Sequence, residues 1–172
     1  MKITCKSIVY ILATGILTAW SCTSGQPKTS EKREVFDTGA VKSSVQLING
    51  KKEGKMTDFY PDGKVRAERW FENDLQSGRS LFYFPDGKIQ EVQYYTNGKK
   101  QRGDSIWYNN GQLQFVAEIR DDKKDGYLYK WSEKGALIFN ARYQNDTLTE
   151  VKGEKIPIHR NPGMLDTSSV RR

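Results

Sequence analysis

The 172-residue chain is poor in the side chains on which most catalytic and metal sites depend. Its one histidine is His159, and its two cysteines are Cys5 and Cys22. A single histidine excludes histidine clusters and histidine-based triads within one chain. Asp62 and Asp86 recur at turn positions, where aspartate usually bonds its own backbone. We therefore expect no catalytic residues, no metal site and no cofactor, and a protein that is not an enzyme. A hydrolase built on an unfamiliar carboxylate is the remaining catalytic alternative.

Long hydrophobic runs are also scarce, and the one present lies at the N-terminus. Lys2 and Lys6 precede a twelve-residue apolar stretch from Ile8 to Ala19. Twelve residues are too few to span a bilayer, which needs about 20. A basic start, a short apolar stretch and small residues after it are typical of a secretory leader. The sequence therefore predicts a signal peptide over residues 1–21.

The cysteine that follows the leader indicates how the protein is held after export. The stretch Ala19-Trp20-Ser21-Cys22 resembles a bacterial lipobox, in which the cysteine is diacylated and becomes the mature N-terminus. Because Cys5 is lost with the leader, Cys22 has no disulfide partner. We expect lipidation at Cys22 and a cell-envelope location, anchored to a membrane and facing the periplasm or the cell surface. Ordinary cleavage after Ser21, followed by secretion, is the alternative.

Two segments flank the main part of the chain. Residues 23–34 read TSGQPKTSEKRE and contain no apolar residue that a core could bury. We interpret residues 22–34 as the lipidated cysteine and a flexible tether. Residues 151–172 lose the pattern described next, and we expect a cap on the last strand followed by a disordered tail. The net charge of +7 is spread over lysines in turns, so no nucleic-acid partner is expected.

Residues 35–150 are dominated by a 24-residue period. Pro-Asp-Gly at Pro61–Gly63 recurs at Pro85–Gly87, and Asn-Gly at Asn49–Gly50 recurs at Asn97–Gly98. Proline and glycine preset the backbone of a turn, and Asn-Gly is the strongest short hairpin signal. The five glycines and five Asx residues in register are Gly39, Gly63, Gly87, Gly111 and Gly135, and Asn49, Asn73, Asn97, Asp121 and Asn145. Two turns in each unit leave two short strands, so the pattern predicts β-hairpin repeats.

Apolar columns between the turns indicate which face of each strand is buried. Two residues after each glycine the side chain is aliphatic, as in Val65, and eight residues after it the side chain is large, as in Phe71. Because the two columns are six residues apart, we expect them on one buried face. The strand before each glycine contributes aromatic residues, namely Phe59, Tyr83, Trp107 and Trp131. The fold class that follows is all-β, a single-layer twisted antiparallel meander of 24-residue hairpins.

The units resemble a known repeat. Phe59-Tyr60-Pro61-Asp62-Gly63-Lys64-Val65, with Asn-Gly-Lys-Lys between units, is similar to the MORN-repeat variant found in the YwqK family of antitoxin-like proteins and in exported bacterial lipoproteins. The resemblance covers about residues 35–150. It implies a curved single-layer array and a binding or scaffolding role, and it brings no catalytic residues.

We therefore expect a non-catalytic binding or scaffolding module of an envelope lipoprotein. Its partner is expected to be a protein or an envelope polysaccharide, with the membrane contacted through the lipid anchor. The alternative is an antitoxin-like protein that neutralises a partner toxin. Ordinary packing between strands is the competing interpretation of the aromatic residues that we select for the binding surface. Those residues are Tyr60, Trp70, Phe84, Tyr94 and Tyr108.

Overall fold

The computed structural model describes residues 25–151 in full, and around them only the backbone of a few short strands. One 13-stranded antiparallel sheet contains nearly all of the described chain. Its strands are β1 (Thr29–Val35), β2 (Val41–Ile48), β3 (Lys51–Phe59), β4 (Val65–Glu72), β5 (Leu75–Gln76), β6 (Gly78–Tyr83), β7 (Ile89–Thr96), β8 (Lys99–Trp107), β9 (Leu113–Arg120), β10 (Lys123–Trp131), β11 (Leu137–Gln144), β12 (Thr147–Val151) and β13 (Glu154–Lys155).

Each strand pairs with its neighbours in sequence. The one departure is the two-residue strand β5, which pairs only with β4, so that β6 also pairs with β4. No helix occurs among the described residues, and none of them forms a helix long and apolar enough to cross a membrane. The sheet is open, with β1 at one edge and β13 at the other. The prediction of an all-β antiparallel meander is confirmed.

The turns fall where the sequence places them, because each requires residues that tolerate a positive φ. In the Asx turns both central residues have positive φ, as at Asn49 (53°) and Gly50 (81°). That geometry is a two-residue hairpin turn whose twist matches the flanking strands. In the Pro-Asp-Gly turns the N–H of Gly63 donates to the carbonyl of Tyr60, at 2.9 Å, and Gly63 has a φ of 83°. The Asp62 carboxylate accepts from the N–H of Lys64, at 3.1 Å.

Hydrogen bonds between consecutive units explain why the period is kept. The N–H of Asp122 donates to the carbonyl of Lys100, at 3.0 Å, and the N–H of Lys100 donates back to the Asp122 carboxylate, at 2.7 Å. The pair Asp146 with Lys124 makes the same two bonds. Asp74 with Lys52 does so as well. These three Asx turns are each tied to the lysine 22 residues before the turn, and Gly98 likewise donates to the carbonyl of Gln76, so an insertion within a unit would break this ladder.

The two faces of the sheet differ in burial. The ten fully buried residues of the described chain all lie on one face, which we call the inner face. Their placement follows from the strand register, in which residues directly opposite each other on neighbouring strands point to the same face. They are Ser43, Val45, Asp58, Ala67, Phe71, Ser80, Gln93, Ala117, Leu128 and Ala141. No second layer covers this face in the described part of the chain, so its side chains shield one another, as they do when a sheet coils.

The expectation that both apolar columns share the buried face is wrong. Ile106 lies opposite Phe115 and Trp107 lies opposite Leu113, so the register slips by one residue, at Gln114. The same β-bulge occurs in all five hairpins that carry a glycine turn. A bulge breaks the two-residue alternation of side chains. Leu113 therefore lies with Trp107 on the opposite face, which we call the outer face.

The predicted flexible tether is also wrong over part of its length. Residues 29–34, which we assigned to the tether, belong to β1, and β1 as a whole pairs with β2 at seven positions. All seven β1 residues are exposed, so burial does not order them. Backbone hydrogen bonding to β2 orders them, and the exposed charge pairs within β1, Arg33 with Glu31 at 2.8 Å and Lys32 with Glu34 at 3.3 Å, add little to it. The sequence did contain a signal for strand β1, because its last residue, Val35, lies 24 residues before Phe59, the last residue of β3.

Several predictions fall on residues outside the full description. In the predicted signal peptide only backbone pairing is described, Lys6–Ser7 with Trp20–Ser21 and Tyr10–Leu12 with Gly15–Leu17. Cys22 lies outside the described residues. At the other end, β13 pairs with β12 at the edge where we expected a cap. The predicted disordered tail after it lies outside the described residues.

The ladder gives a first prediction. Asp122→Gly removes the carboxylate that Lys100 donates to, while glycine keeps the positive φ that Gly50 and Gly98 show at the same position. We expect unfolding in urea to show a loss of about 1 kcal/mol, the net worth of one hydrogen bond. Asp122→Asn, which retains an acceptor, should unfold within a few tenths of a kcal/mol of the parent protein. Equal losses in both variants would show that the ladder bond is not what stabilises this turn.

Candidate binding faces

The outer face presents apolar side chains to solvent. In each of the five hairpins a β-bulge places one residue before the turn opposite one after it on this face. These pairs are Val35 with Val41, Phe59 with Val65, Tyr83 with Ile89, Trp107 with Leu113, and Trp131 with Leu137. We call them the outer pairs. Val35, Ile89 and Leu137 are 59%, 44% and 51% exposed. Apolar surface in this amount is typical of an interaction site on a soluble domain.

Aromatic rings extend the outer face along β10. Tyr127, Tyr129 and Trp131 alternate along the strand and therefore share a face, and their ring centroids are 5.9 and 5.7 Å apart. The guanidinium of Arg142 lies 5.3 Å from the centroid of the Tyr127 ring. Cation–π contacts of this kind hold a charged group flat against an aromatic surface. The C-terminal hairpins thus combine an aromatic surface with fixed positive charge.

The inner face holds a polar network at its centre. The Gln76 amide donates to the Ser80 hydroxyl at 2.8 Å, and the Tyr95 hydroxyl donates to the Gln93 amide oxygen at 2.8 Å. The Gln93 amide donates in turn to Glu91. Lys100 pairs with Asp104 at 3.0 Å. Burial raises the pKa of Glu91, and the nearby Asp104 carboxylate raises it further.

This network has a structural role. Its members lie on β5, β6, β7 and β8, with one side-chain bond joining β5 to β6 and the others lying within β7 or within β8, and Ser80 has no exposed surface. A fully buried hydroxyl cannot reach a ligand, whereas buried polar groups that are hydrogen-bonded, such as those of Ser80 and Gln93, fix the register of the strands that carry them. We assign the network to holding the middle units together.

The five residues selected from the sequence do not form one surface. Trp70 and Tyr94 lie in the middle of their strands. Each directly follows a residue of the inner face, so its own side chain points to the outer face, and Trp70 is 46% exposed. Tyr60, Phe84 and Tyr108 instead lie where strands end and turns begin. A cavity of about 360 Å³ opens beside Tyr108.

Two of these turn aromatics bond the next unit. The hydroxyl of Tyr60 donates to the carbonyl of Tyr83 at 2.7 Å, and the hydroxyl of Tyr108 donates to the carbonyl of Trp131 at 3.0 Å. Each bond joins residues 23 apart and so links consecutive hairpins. Phe84 occupies the same position in its unit without a hydroxyl. These contacts give the turn aromatics a part in stacking the units.

Sequence reasoning missed the outer pairs, because it placed their aliphatic members on the buried face. The length of the connection indicates only that Trp107 lies opposite Leu113. The face they share is decided by the bulge at Gln114, which no residue type marks.

The comparisons with known proteins bear on the repeat. The family model described as the MORN repeat variant matches residues 52–73 and 76–97. No curated protein matches the chain. The matched segments are two consecutive units, each running from one Asx turn to the next. Two further units, bounded by the same kind of Asx turn, follow at residues 100–121 and 124–145, so the structure continues the repeat beyond the matched residues. Repeats of this kind are binding and scaffolding modules that are typically non-enzymatic.

The stacking contact gives a second prediction. Phe84→Tyr supplies the hydroxyl that Tyr60 and Tyr108 use, so it should donate to the carbonyl of Trp107 and stabilise the protein. The expected gain is about 0.5–1.5 kcal/mol in urea unfolding, and Tyr108→Phe should lose a similar amount. If Phe84→Tyr lowers stability while Tyr108→Phe leaves it unchanged, the turn hydroxyls do not stack the units.

The polar network gives a third prediction. Because the pKa of Glu91 is raised in the folded state, there is a pH range in which the folded protein keeps this proton and the unfolded chain has lost it. Stability therefore falls as the pH rises through and above the ordinary glutamate pKa. Glu91→Gln cannot ionise and still accepts from Gln93. We expect this variant to be more stable than the parent protein at neutral pH, with the difference shrinking towards about pH 4. Urea unfolding across this range measures it.

Glu72→Gln is the matched control, since Glu72 is exposed on the same sheet. It should change stability little at any pH. A stability difference for Glu91→Gln that stays constant with pH would mean that ionisation of Glu91 is not responsible.

Proposed function

We propose that this protein is a non-catalytic binding module of the cell envelope, which holds a protein partner on the outer face of its C-terminal hairpins. The observation that carries the proposal is the division between the faces. Among residues 25–151, every fully buried residue lies on the inner face, whereas Tyr127 and Leu137 on the outer face are 40% and 51% exposed. The inner face maintains the fold, and the outer face is available to a partner.

The charges on this face specify the chemistry of the partner. Arg142 lies over Tyr127, and the guanidinium of Arg102 lies 5.8 Å from the centroid of the Tyr94 ring. Arg120 and Lys123 lie opposite each other on β9 and β10 and are exposed, with Arg120 also contacting Asp125 at 3.3 Å. A partner with an apolar centre and an acidic rim complements this arrangement, because opposite charges at the rim speed and orient association.

Location in the envelope is part of the proposal and rests on the sequence alone. The leader over residues 1–21 and the cysteine at position 22 support export and lipidation. Lipidation would place the sheet a short tether away from a membrane. A Cys22→Ala variant should then appear in the soluble fraction, whereas the parent protein partitions into detergent. If the parent protein is also soluble, or if globomycin causes no precursor to accumulate, the chain is secreted rather than anchored.

Partner capture tests the binding surface directly. Leu137 and Leu75 are matched, at 51% and 50% exposed, but Leu75 lies on β5, away from the outer pairs. We expect Leu137→Lys to lower capture of the partner from envelope extract by at least about tenfold, equivalent to 1.4 kcal/mol. Leu75→Lys should leave capture unchanged. Equal capture by both variants would place the partner elsewhere.

The identity of the captured protein also distinguishes this proposal from the antitoxin alternative. A toxin whose activity is suppressed on binding would favour the antitoxin function. A structural or assembly protein of the envelope would favour the scaffold.

A further inference from the structure

The N-terminal hairpins present a different surface on the same outer face. A cavity of about 490 Å³ lies across β1, β2 and β3, and we call it the polar trough. It is an open groove on the surface of the sheet, and most of the residues that line it are exposed. Hydroxyl, amide and charged side chains line it: Thr29, Ser30, Glu31, Ser44, Gln46, Lys55 and Thr57. The apolar side chains of the C-terminal hairpins have no counterpart among these lining residues.

Each charged side chain that lines the polar trough has a partner of opposite charge. Lys55 contacts Glu68 at 2.8 Å, and the Tyr83 hydroxyl donates to the same carboxylate at 2.9 Å. Glu31 accepts from the Ser44 hydroxyl at 2.6 Å and pairs with Arg33 at 2.8 Å. These hydrogen bonds hold the pKa of both Glu31 and Glu68 below the usual range, so both carboxylates are ionised at neutral pH. The pairing leaves no unopposed charge to select an ion.

An aromatic ring stands beside the polar trough. Trp70 lies on the outer face of β4, opposite Lys55 on β3, and 46% of its surface is exposed. Strand β6 begins beside Trp70 at Gly78. A Cβ atom at position 78 would lie 3.9 Å from the Cβ atom of Trp70. The indole is a large, exposed apolar surface beside Lys55, one of the residues that line the polar trough.

We propose that the polar trough binds a neutral saccharide, with Trp70 as the stacking platform. The C–H face of a pyranose is apolar and its rim carries hydroxyls that both donate and accept. Such a ligand needs an exposed aromatic ring together with paired carboxylates, amides and hydroxyls that accept and donate. Glu31 and Gln46, opposite each other on β1 and β2, are placed to accept from and donate to vicinal hydroxyls.

Other ligand classes fit less well. An anion would find each cation already paired with a carboxylate, at 2.8 Å for both Lys55 and Arg33. An apolar peptide would find no apolar side chain among the lining residues. A neutral, hydroxyl-rich ligand uses every group present, and this proposal goes beyond the protein partner assigned to the C-terminal hairpins.

Titration with defined sugars tests the site. Maltotriose, cellotriose and the trimer of N-acetylglucosamine are each added to the intact protein, with tryptophan fluorescence and calorimetry as the readouts. We expect at least one trimer to bind with a dissociation constant below about 1 mM, or 4.1 kcal/mol. Trp70→Ala should weaken that binding at least tenfold. Gln46→Ala should weaken it by a smaller factor, with circular dichroism confirming that each variant is folded.

Tyr127→Ala is the matched control, since Tyr127 is an outer-face aromatic of similar exposure outside the polar trough. It should bind the sugar as the parent protein does. Saturable binding that survives in Trp70→Ala, or no binding by any trimer below about 1 mM, would overturn the proposal. Binding of inorganic phosphate in place of the sugars would also overturn it. Leu137→Lys should retain sugar binding, so this proposal and the protein-partner proposal can fail separately.

Discussion

Backbone pairing between consecutive hairpins is the constraint on which the rest of this structure depends. A single hairpin buries too little surface to stay folded in water. Here no second sheet or helix covers either face of the described sheet, so each unit is stabilised only by the strands beside it. The Asx ladder, exemplified by Asp122 and Lys100, adds side-chain bonds to that pairing at one end of the strands. Stability should then be distributed along the array as a sum of units and interfaces.

The same constraint explains which parts of the fold the sequence reveals. A turn needs residues that accept positive φ, so Asn49, Gly50 and Gly63 mark the turns by their residue type alone. Backbone conformation at these positions is a local property, and it repeats with the units. Both the all-β class and the 24-residue period could therefore be predicted.

Other features depend on the neighbouring strand and escaped prediction for that reason. The bulge at Gln114 changes the face of Leu113 without altering any residue type that would announce it. The charged strand β1 has no hydrophobic pattern, and it is ordered by the hydrogen bonds that β2 offers. For the candidate site, mid-strand Trp70 and Tyr94 could be chosen from the sequence. The sequence could not show that Tyr60 and Tyr108 differ from them. That difference became visible only from the hydrogen bonds that Tyr60 and Tyr108 make to the next unit.

Separation of roles between the faces bears on how such an array can acquire different ligands. Turns, ladder and inner face together fix the fold, and the outer face contributes less to it because its side chains are partly exposed. Polar residues such as Thr57 and Ser44 on the N-terminal hairpins, and Trp107 and Trp131 at the C-terminal end, occupy one continuous face with the same backbone beneath. Outer-face side chains can therefore change along the array without disturbing the pairing. Two chemically distinct surfaces on one sheet are a direct consequence of a fold held by its backbone.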